Sequence, residues 1–181
     1  MPGETLFSPS ALAALTSRLG REIARDYPDG VLYVGVRKGS VCFLADLARA
    51  TPCPCEIDFL ALSSYGDGRA RVKIAKDLDV DVSGRDVVVV ADLVDTGLSL
   101  VYIRRLLAER GARSSEVCAL LDRRSRRLVP VEVRYVGEVI GDEYVVGFGL
   151  DFNERYRNIP GIVVLGRGDL EPASGLGWQR A

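Results

Sequence analysis

Asp92 and Asp95 stand three residues apart at the end of the apolar run Val87-Val88-Val89-Val90, and Thr96-Gly97-Leu98-Ser99 follows directly. Consecutive valines predict a strand buried on both faces. Leu100, Ile103, Leu106 and Leu107 then recur at helical spacing, with a stop near Gly111. A strand that runs through a glycine into a helix start is suited to an anion, because the first helical turn offers free N–H groups and a partial positive charge. The two carboxylates beside it have three kinds of chemistry open to them: accepting hydrogen bonds from hydroxyls, holding a metal, or taking a proton. The chain contains no histidine. Ser-His-Asp and Cys-His catalysis are therefore excluded, and any proton transfer falls to Asp, Glu, Lys, Tyr or water.

The elements that must position these residues alternate in type. Ser8-Pro9-Ser10 opens a helix carrying Leu12, Leu15, Leu19 and Ile23, and Pro28-Asp29-Gly30 closes it. Val31–Val36 predicts a central strand, followed by Lys38-Gly39-Ser40 and a helix through Phe43, Leu44, Leu47 and Ala48. Residues 56–62 and 71–75 alternate as strands, with residues 63–68 as a polar loop between them and a turn at 81–84 before the valine run. Residues 115–121, 131–136, 145–149 and 162–165 are further strand candidates. Strands alternating with helices predict an α/β fold with a largely parallel sheet covered on both faces. Ligands bind such sheets at the carboxyl ends of the strands, where Lys38, Asp92, Asp95 and Arg123 all fall. The length of 181 residues suits one domain, expected over 1–165, with residues 166–181 as a loose tail.

Bulk properties narrow the function classes. With 24 basic and 25 acidic residues the net charge is −1, which gives no reason to expect nucleic acid or membrane as a partner. No secretory leader and no membrane span is apparent, so a cytoplasmic location is expected. Cys53-Pro54-Cys55 has neither zinc nor redox spacing, and with Cys42 and Cys118 the thiols are expected to be structural or incidental.

Four ordered segments carry a resemblance. They are Gly35–Gly39, Phe59–Gly66, Val87–Leu100, and the run from Val145 through Gly147-Phe148-Gly149-Leu150-Asp151-Phe152-Asn153-Glu154-Arg155-Tyr156-Arg157 to Pro160. Together they resemble the purine phosphoribosyltransferases of the hypoxanthine–guanine type, from about Val34 to Leu165. The resemblance implies the type I phosphoribosyltransferase fold, a parallel twisted sheet flanked by helices with a small hood formed by terminal segments. It implies transfer of a 5-phosphoribosyl group from phosphoribosyl pyrophosphate to hypoxanthine or guanine, with Mg2+ and release of pyrophosphate, in a homodimer or homotetramer.

The same resemblance distributes roles. Asp95 matches the general base. Thr96, Gly97, Leu98 and Ser99 match the 5′-phosphate cradle, and Asp92 matches a ribose acceptor and a metal ligand. Lys38, Gly39 and Arg157 match the pyrophosphate contacts, and Asp151 a magnesium-linked carboxylate. Tyr144 matches the aromatic that stacks on the purine, and Val145 a residue that reads its edge through the backbone. Ser64 and Tyr65 match a lid that excludes water.

Three positions depart from the family pattern. Ala91 replaces a glutamate, removing a ribose acceptor worth about 1.5–3 kcal/mol of binding. Arg123 replaces a lysine that donates to the purine's 6-oxo group. The stretch Asp67–Ala75 is shorter than its counterpart. Taken singly, each marker has a plainer reading: Asp92 as a solvated strand-end acid, Asp95 as a helix cap, Tyr144 as packing, Lys38 and Arg157 as surface charges, and residues 123–127 as a solvated basic loop. The departures and the basic loop also leave an alternative, a regulator of the same fold that senses phosphoribosyl pyrophosphate or nucleotide and binds RNA or DNA.

Overall fold

The structure is a computed structural model, and it describes residues 3–36, 38–65 and 71–166. Strand β1 (Thr5–Phe7) leads into helix α1 (Pro9–Asp26). Strand β2 (Val31–Val36) and helix α2 (Val41–Ala50) follow, then β3 (Cys55–Tyr65), β4 (Arg71–Lys76) and β5 (Asp86–Val94). Helix α3 (Leu98–Glu109), β6 (Ser114–Asp122), β7 (Tyr135–Val139), β8 (Val145–Val146) and β9 (Ile162–Val164) complete the order. The main sheet runs β4-β3-β2-β5-β6-β7, parallel throughout except for the β3–β4 hairpin. A second, antiparallel sheet, β1-β9-β8, joins the N-terminal strand to the C-terminal ones and forms the expected hood.

Residue parity explains the layers. In β5, Val88 and Val90 face the cluster made with α1 and α2 through Leu12, Leu19, Phe43 and Leu47. Val87, Val89 and Ala91 face the cluster made with α3 through Leu100, Ile103 and Leu107. All four valines are fully buried, as a strand covered on both faces requires. From β2 the chain crosses through α2 to β3 on one side, and from β5 it crosses through α3 to β6 on the other. The order therefore reverses between β2 and β5, which opens a crevice at their carboxyl ends.

Helix α1 begins as its sequence predicts: Ser8 Oγ accepts from Ala11 N at 3.2 Å, and Pro9 occupies the first turn, where no N–H is needed. Other elements differ from expectation. β3 continues through Ser63, Ser64 and Tyr65 because these residues pair with Lys73, Val72 and Arg71 of β4. β5 continues through Asp92 to Val94, so Asp92 lies within the strand rather than after it. β7 begins at Tyr135, where pairing with Cys118 starts. Val131 and Val133 instead pack against the α3-side core. β8 stops at Val146 because Gly147 (φ +99°), Phe148 (φ +50°) and Gly149 (φ +99°) turn the chain back, with Gly147 bridged to Leu150. The expected tail lies outside the described residues from 167 onward.

Candidate active site

The crevice is built from loops that leave β2, β5 and β6 and from the hairpin after β8. The Asp92 side chain lies beneath the loop that starts α2. There it meets Gly39 so closely that a Cβ on Gly39 would stand 1.7 Å from Asp92 Oδ2. Gly149 closes the other side of this loop, since a Cβ there would stand 2.1 Å from the Gly39 carbonyl oxygen. Two glycines are thus fixed by close approach, one of them also by a left-handed φ.

Protein atoms surround Asp92 closely, although the residue keeps some exposure to solvent. This burial pushes its carboxyl up to about 6, against the pull of the Leu93 and Asp92 backbone N–H groups and of Arg157, while the nearby charge of Asp151 adds to the rise. A native pKa above the unfolded one favours folding at low pH, and the advantage is lost as pH rises through about 6. Ionisation then costs the folded protein roughly 2–3 kcal/mol. Asp92→Asn removes that cost. Thermal unfolding without ligands should show the variant more stable than the parent at pH 8, with the gain vanishing towards pH 4. An equal difference at both pH values would contradict this account of Asp92.

Asp95, Thr96 and Gly97 form the turn between β5 and α3. Gly97 caps the helix at φ +85°. A Cβ on Gly97 would meet Val131 Cγ1 at 2.9 Å and Arg127 Cδ at 3.0 Å. The Thr96 carbonyl accepts from Leu128 N (3.0 Å) and Val129 N (3.4 Å), which holds the turn against the next loop. Thr96 Oγ1 accepts a long bond from Leu98 N, and the helix has no side-chain cap. Its first-turn N–H groups therefore face outward beside exposed Leu98 and Ser99. Asp95 does not act as a cap: its Oδ2 lies 3.6 Å from Arg123 Nη1, and its Oδ1 is buried with no hydrogen-bond partner among the described residues.

Arg123 departs from the sequence reading. It is buried, and it donates from Nε to the Gly141 carbonyl (3.1 Å) and from Nη2 to the Glu143 carbonyl (2.6 Å). Its Nε and Nη2 thus tie down the 141–143 loop, and Nη1 faces Asp95. Nor is the 123–127 cluster a solvated basic loop. Arg127 is mostly buried: it donates from Nε to the Asp95 carbonyl (3.1 Å) and pairs with buried Asp122. Only Arg124 and Arg126 remain largely exposed.

A charged cluster closes the far side of the crevice. Arg157 donates to the Gly149 carbonyl (2.8 Å) and pairs with Asp151 (2.9 Å) and Glu154 (3.1 Å). Lys38 Nζ reaches the same Glu154 oxygen, Oε2, at 3.3 Å. Glu154 N in turn donates to Asp151 Oδ2 at 2.9 Å. Tyr144 packs edge-on against Phe152, with centroids 5.4 Å apart, and stays exposed; Val145 is buried in β8. Ser64 and Tyr65 belong to β3, but their side chains and residues 66–70 lie outside what is described, so the lid reading does too.

The structure therefore brings Gly39, Asp92, Asp151 and Arg157 together, and separately Asp95 and Arg123. Sequence reasoning missed Glu154 and Gly149, although both lie in a segment already singled out, at spacings that gave no periodic signal. Among the described residues no three metal-ligating side chains converge. Asp92 and Asp151, whose charge lies close enough to raise the proton affinity of Asp92, suit a hard cation that takes its other ligands from water and phosphate oxygens.

Comparison with known proteins fits this geometry. The phosphoribosyl transferase domain family matches residues 9–153. The hypoxanthine phosphoribosyltransferase of Salmonella typhimurium is 44% identical over 170 residues, covering 90% of this chain and 96% of that protein. The hypoxanthine-guanine phosphoribosyltransferase of Mycobacterium avium is 43% identical, covering 87% and 84%. A crystal structure of the Staphylococcus aureus hypoxanthine phosphoribosyltransferase superposes with a TM-score of 0.90 at 36% identity, covering 94% of this chain and 95% of that one.

Proposed function

Because the chain belongs to the phosphoribosyltransferase family, we propose that it is a purine salvage enzyme, transferring 5-phosphoribosyl from phosphoribosyl pyrophosphate to hypoxanthine or guanine. The observation that carries the mechanism is the Asp95 carboxylate, with one oxygen buried and unpartnered among the described residues at the start of α3. A purine nitrogen that attacks the sugar becomes acidic as the bond forms. An acceptor of this kind takes its proton without needing a high basicity of its own.

The remaining residues share the substrate. Backbone N–H groups of Thr96 to Ser99 bind the 5′-phosphate, with Gly97 allowing the close approach. Asp92 accepts ribose hydroxyls and, with its negative charge, steadies the oxocarbenium-like sugar. Lys38, the Gly39 N–H and Arg157 hold the pyrophosphate, Lys as a point charge and Arg through its planar fork. Asp92 and Asp151 would hold Mg2+, whose chemistry is to neutralise the charge of the leaving pyrophosphate. Tyr144 stacks on the purine, and Val145 reads its edge.

Two departures shape the substrate preference. Ala91 points into the apolar core against α3 and is buried, so Asp92 alone serves the sugar. Arg123 acts on the purine mainly by fixing the 141–143 loop, with Nη1 left to approach the 6-oxo group. The RNA- or DNA-binding alternative loses its basis, because two arginines of the 123–127 cluster are committed inside the protein.

The four cysteines are unpaired, which accords with a cytoplasmic setting. No helix among the described residues is long and apolar enough to cross a membrane. Exposed Leu98, Val101 and Leu128 suit burial in a homodimer or homotetramer. The function is tested by incubating the protein with phosphoribosyl pyrophosphate, Mg2+ and hypoxanthine, guanine or xanthine in turn. Hypoxanthine or guanine should give the highest kcat/KM. A strong preference for xanthine would reverse the assignment of base.

A further inference from the structure

Glu154 is placed where an anionic substrate group is expected. One of its oxygens, Oε2, accepts from both Lys38 Nζ (3.3 Å) and Arg157 Nη2 (3.1 Å). These two residues lie 119 positions apart in the chain (157 minus 38) and, among the described residues, share no other bridging acceptor. The carboxylate thus spans two cations that would otherwise repel one another, as a phosphoryl oxygen would. Its backbone is held for the purpose. Glu154 sits at φ +61°, between Asn153 at +52° and Tyr156 at +73°, in a region a glutamate seldom occupies, and its N–H is fixed by Asp151 Oδ2. The side chain itself stays largely exposed, so it can swing away into solvent. Arg157 Nε is buried with no partner among the described residues and keeps a donor that Glu154 does not satisfy.

We propose that Glu154 is an internal stand-in for pyrophosphate, holding Lys38 and Arg157 together until the diphosphate group displaces it. The inference rests on the pyrophosphate site assigned above. The Glu154 carboxylate competes with the diphosphate for the same two cations, because one of its oxygens already bridges them. It does not alter the reaction catalysed. It sets how tightly pyrophosphate is held, and therefore how readily the product leaves.

Glu154→Gln tests this, since it keeps shape and hydrogen-bond capacity and removes only the charge. Inorganic pyrophosphate with Mg2+ is titrated into the parent and the variant by calorimetry, and product inhibition by pyrophosphate is measured in parallel. Freeing two exposed ion pairs should tighten pyrophosphate binding roughly threefold to tenfold in the variant. The inhibition constant should fall in step, and the KM for hypoxanthine should stay unchanged. Unchanged or weaker binding in Glu154→Gln, with normal binding in the parent, would overturn the stand-in role and leave the site intact. Absence of pyrophosphate binding in both proteins would overturn the site assignment itself, and this inference with it.

Discussion

Asp95→Asn is expected to lower kcat by roughly 10²–10⁴-fold while leaving the KM for phosphoribosyl pyrophosphate nearly unchanged. The amide matches the carboxylate in shape and keeps one carbonyl oxygen towards Arg123, so the turn and the start of α3 should survive. What it loses is the capacity to take a proton. If Asp95 were only structural, kcat would hold and stability would suffer instead, which steady-state kinetics and thermal unfolding together distinguish. The separation of kcat from KM carries the test, because the contact matters only as the purine gives up its proton.

The second large effect is expected at Gly39. A methyl group there would fall 1.7 Å from Asp92 Oδ2, a separation that no rearrangement of the methyl can relieve. Either the Lys38–Ser40 loop or the Asp92 carboxylate must move by an ångström or more. Displacement on that scale in a positioned site costs about 10²-fold in rate. Gly39→Ala should therefore lose about that factor in kcat/KM for phosphoribosyl pyrophosphate, without comparable loss of overall stability, since the shift is confined to a loop at the rim. Retention of wild-type kcat/KM would mean that Asp92 and the Gly39 loop do not act together on the substrate.

Much of this arrangement is legible in the sequence. The valine run, the leucine spacing of α1 and α3, and the Ser8–Pro9 helix start obey local rules, and the structure places those elements as expected. The crevice follows from alternation of strands and helices. The less legible parts depend on partners distant in sequence. Asp92 reads as a strand-end acid until β5 is seen to pair with β6 out to Val94 and Asp122, which carries Asp92 inside the strand and beneath the loop that starts α2.

Arg123 reads as a free donor to substrate, but the Gly141 and Glu143 carbonyls that bind it lie 18 and 20 residues on. Residues 123–127 read as solvated because nothing local shows that Asp122 is buried and waiting for counter-charges. Glu154 gives no signal at all, since its partner Lys38 lies 116 residues away and its backbone adopts a conformation that a glutamate rarely takes. Ala91 is legible only as a missing acid. Its packing against α3 shows why an apolar residue is stable there.

The central claim is that the crevice between β2 and β5 joins a purine to a phosphoribosyl group. Its most direct measurement is a single reaction of the purified protein with phosphoribosyl pyrophosphate, hypoxanthine and Mg2+, following nucleotide and pyrophosphate together. The account predicts inosine monophosphate and pyrophosphate appearing in equal amounts, and both failing to form in Asp95→Asn on the same timescale. Pyrophosphate released without nucleotide, or no turnover with any purine, would contradict it.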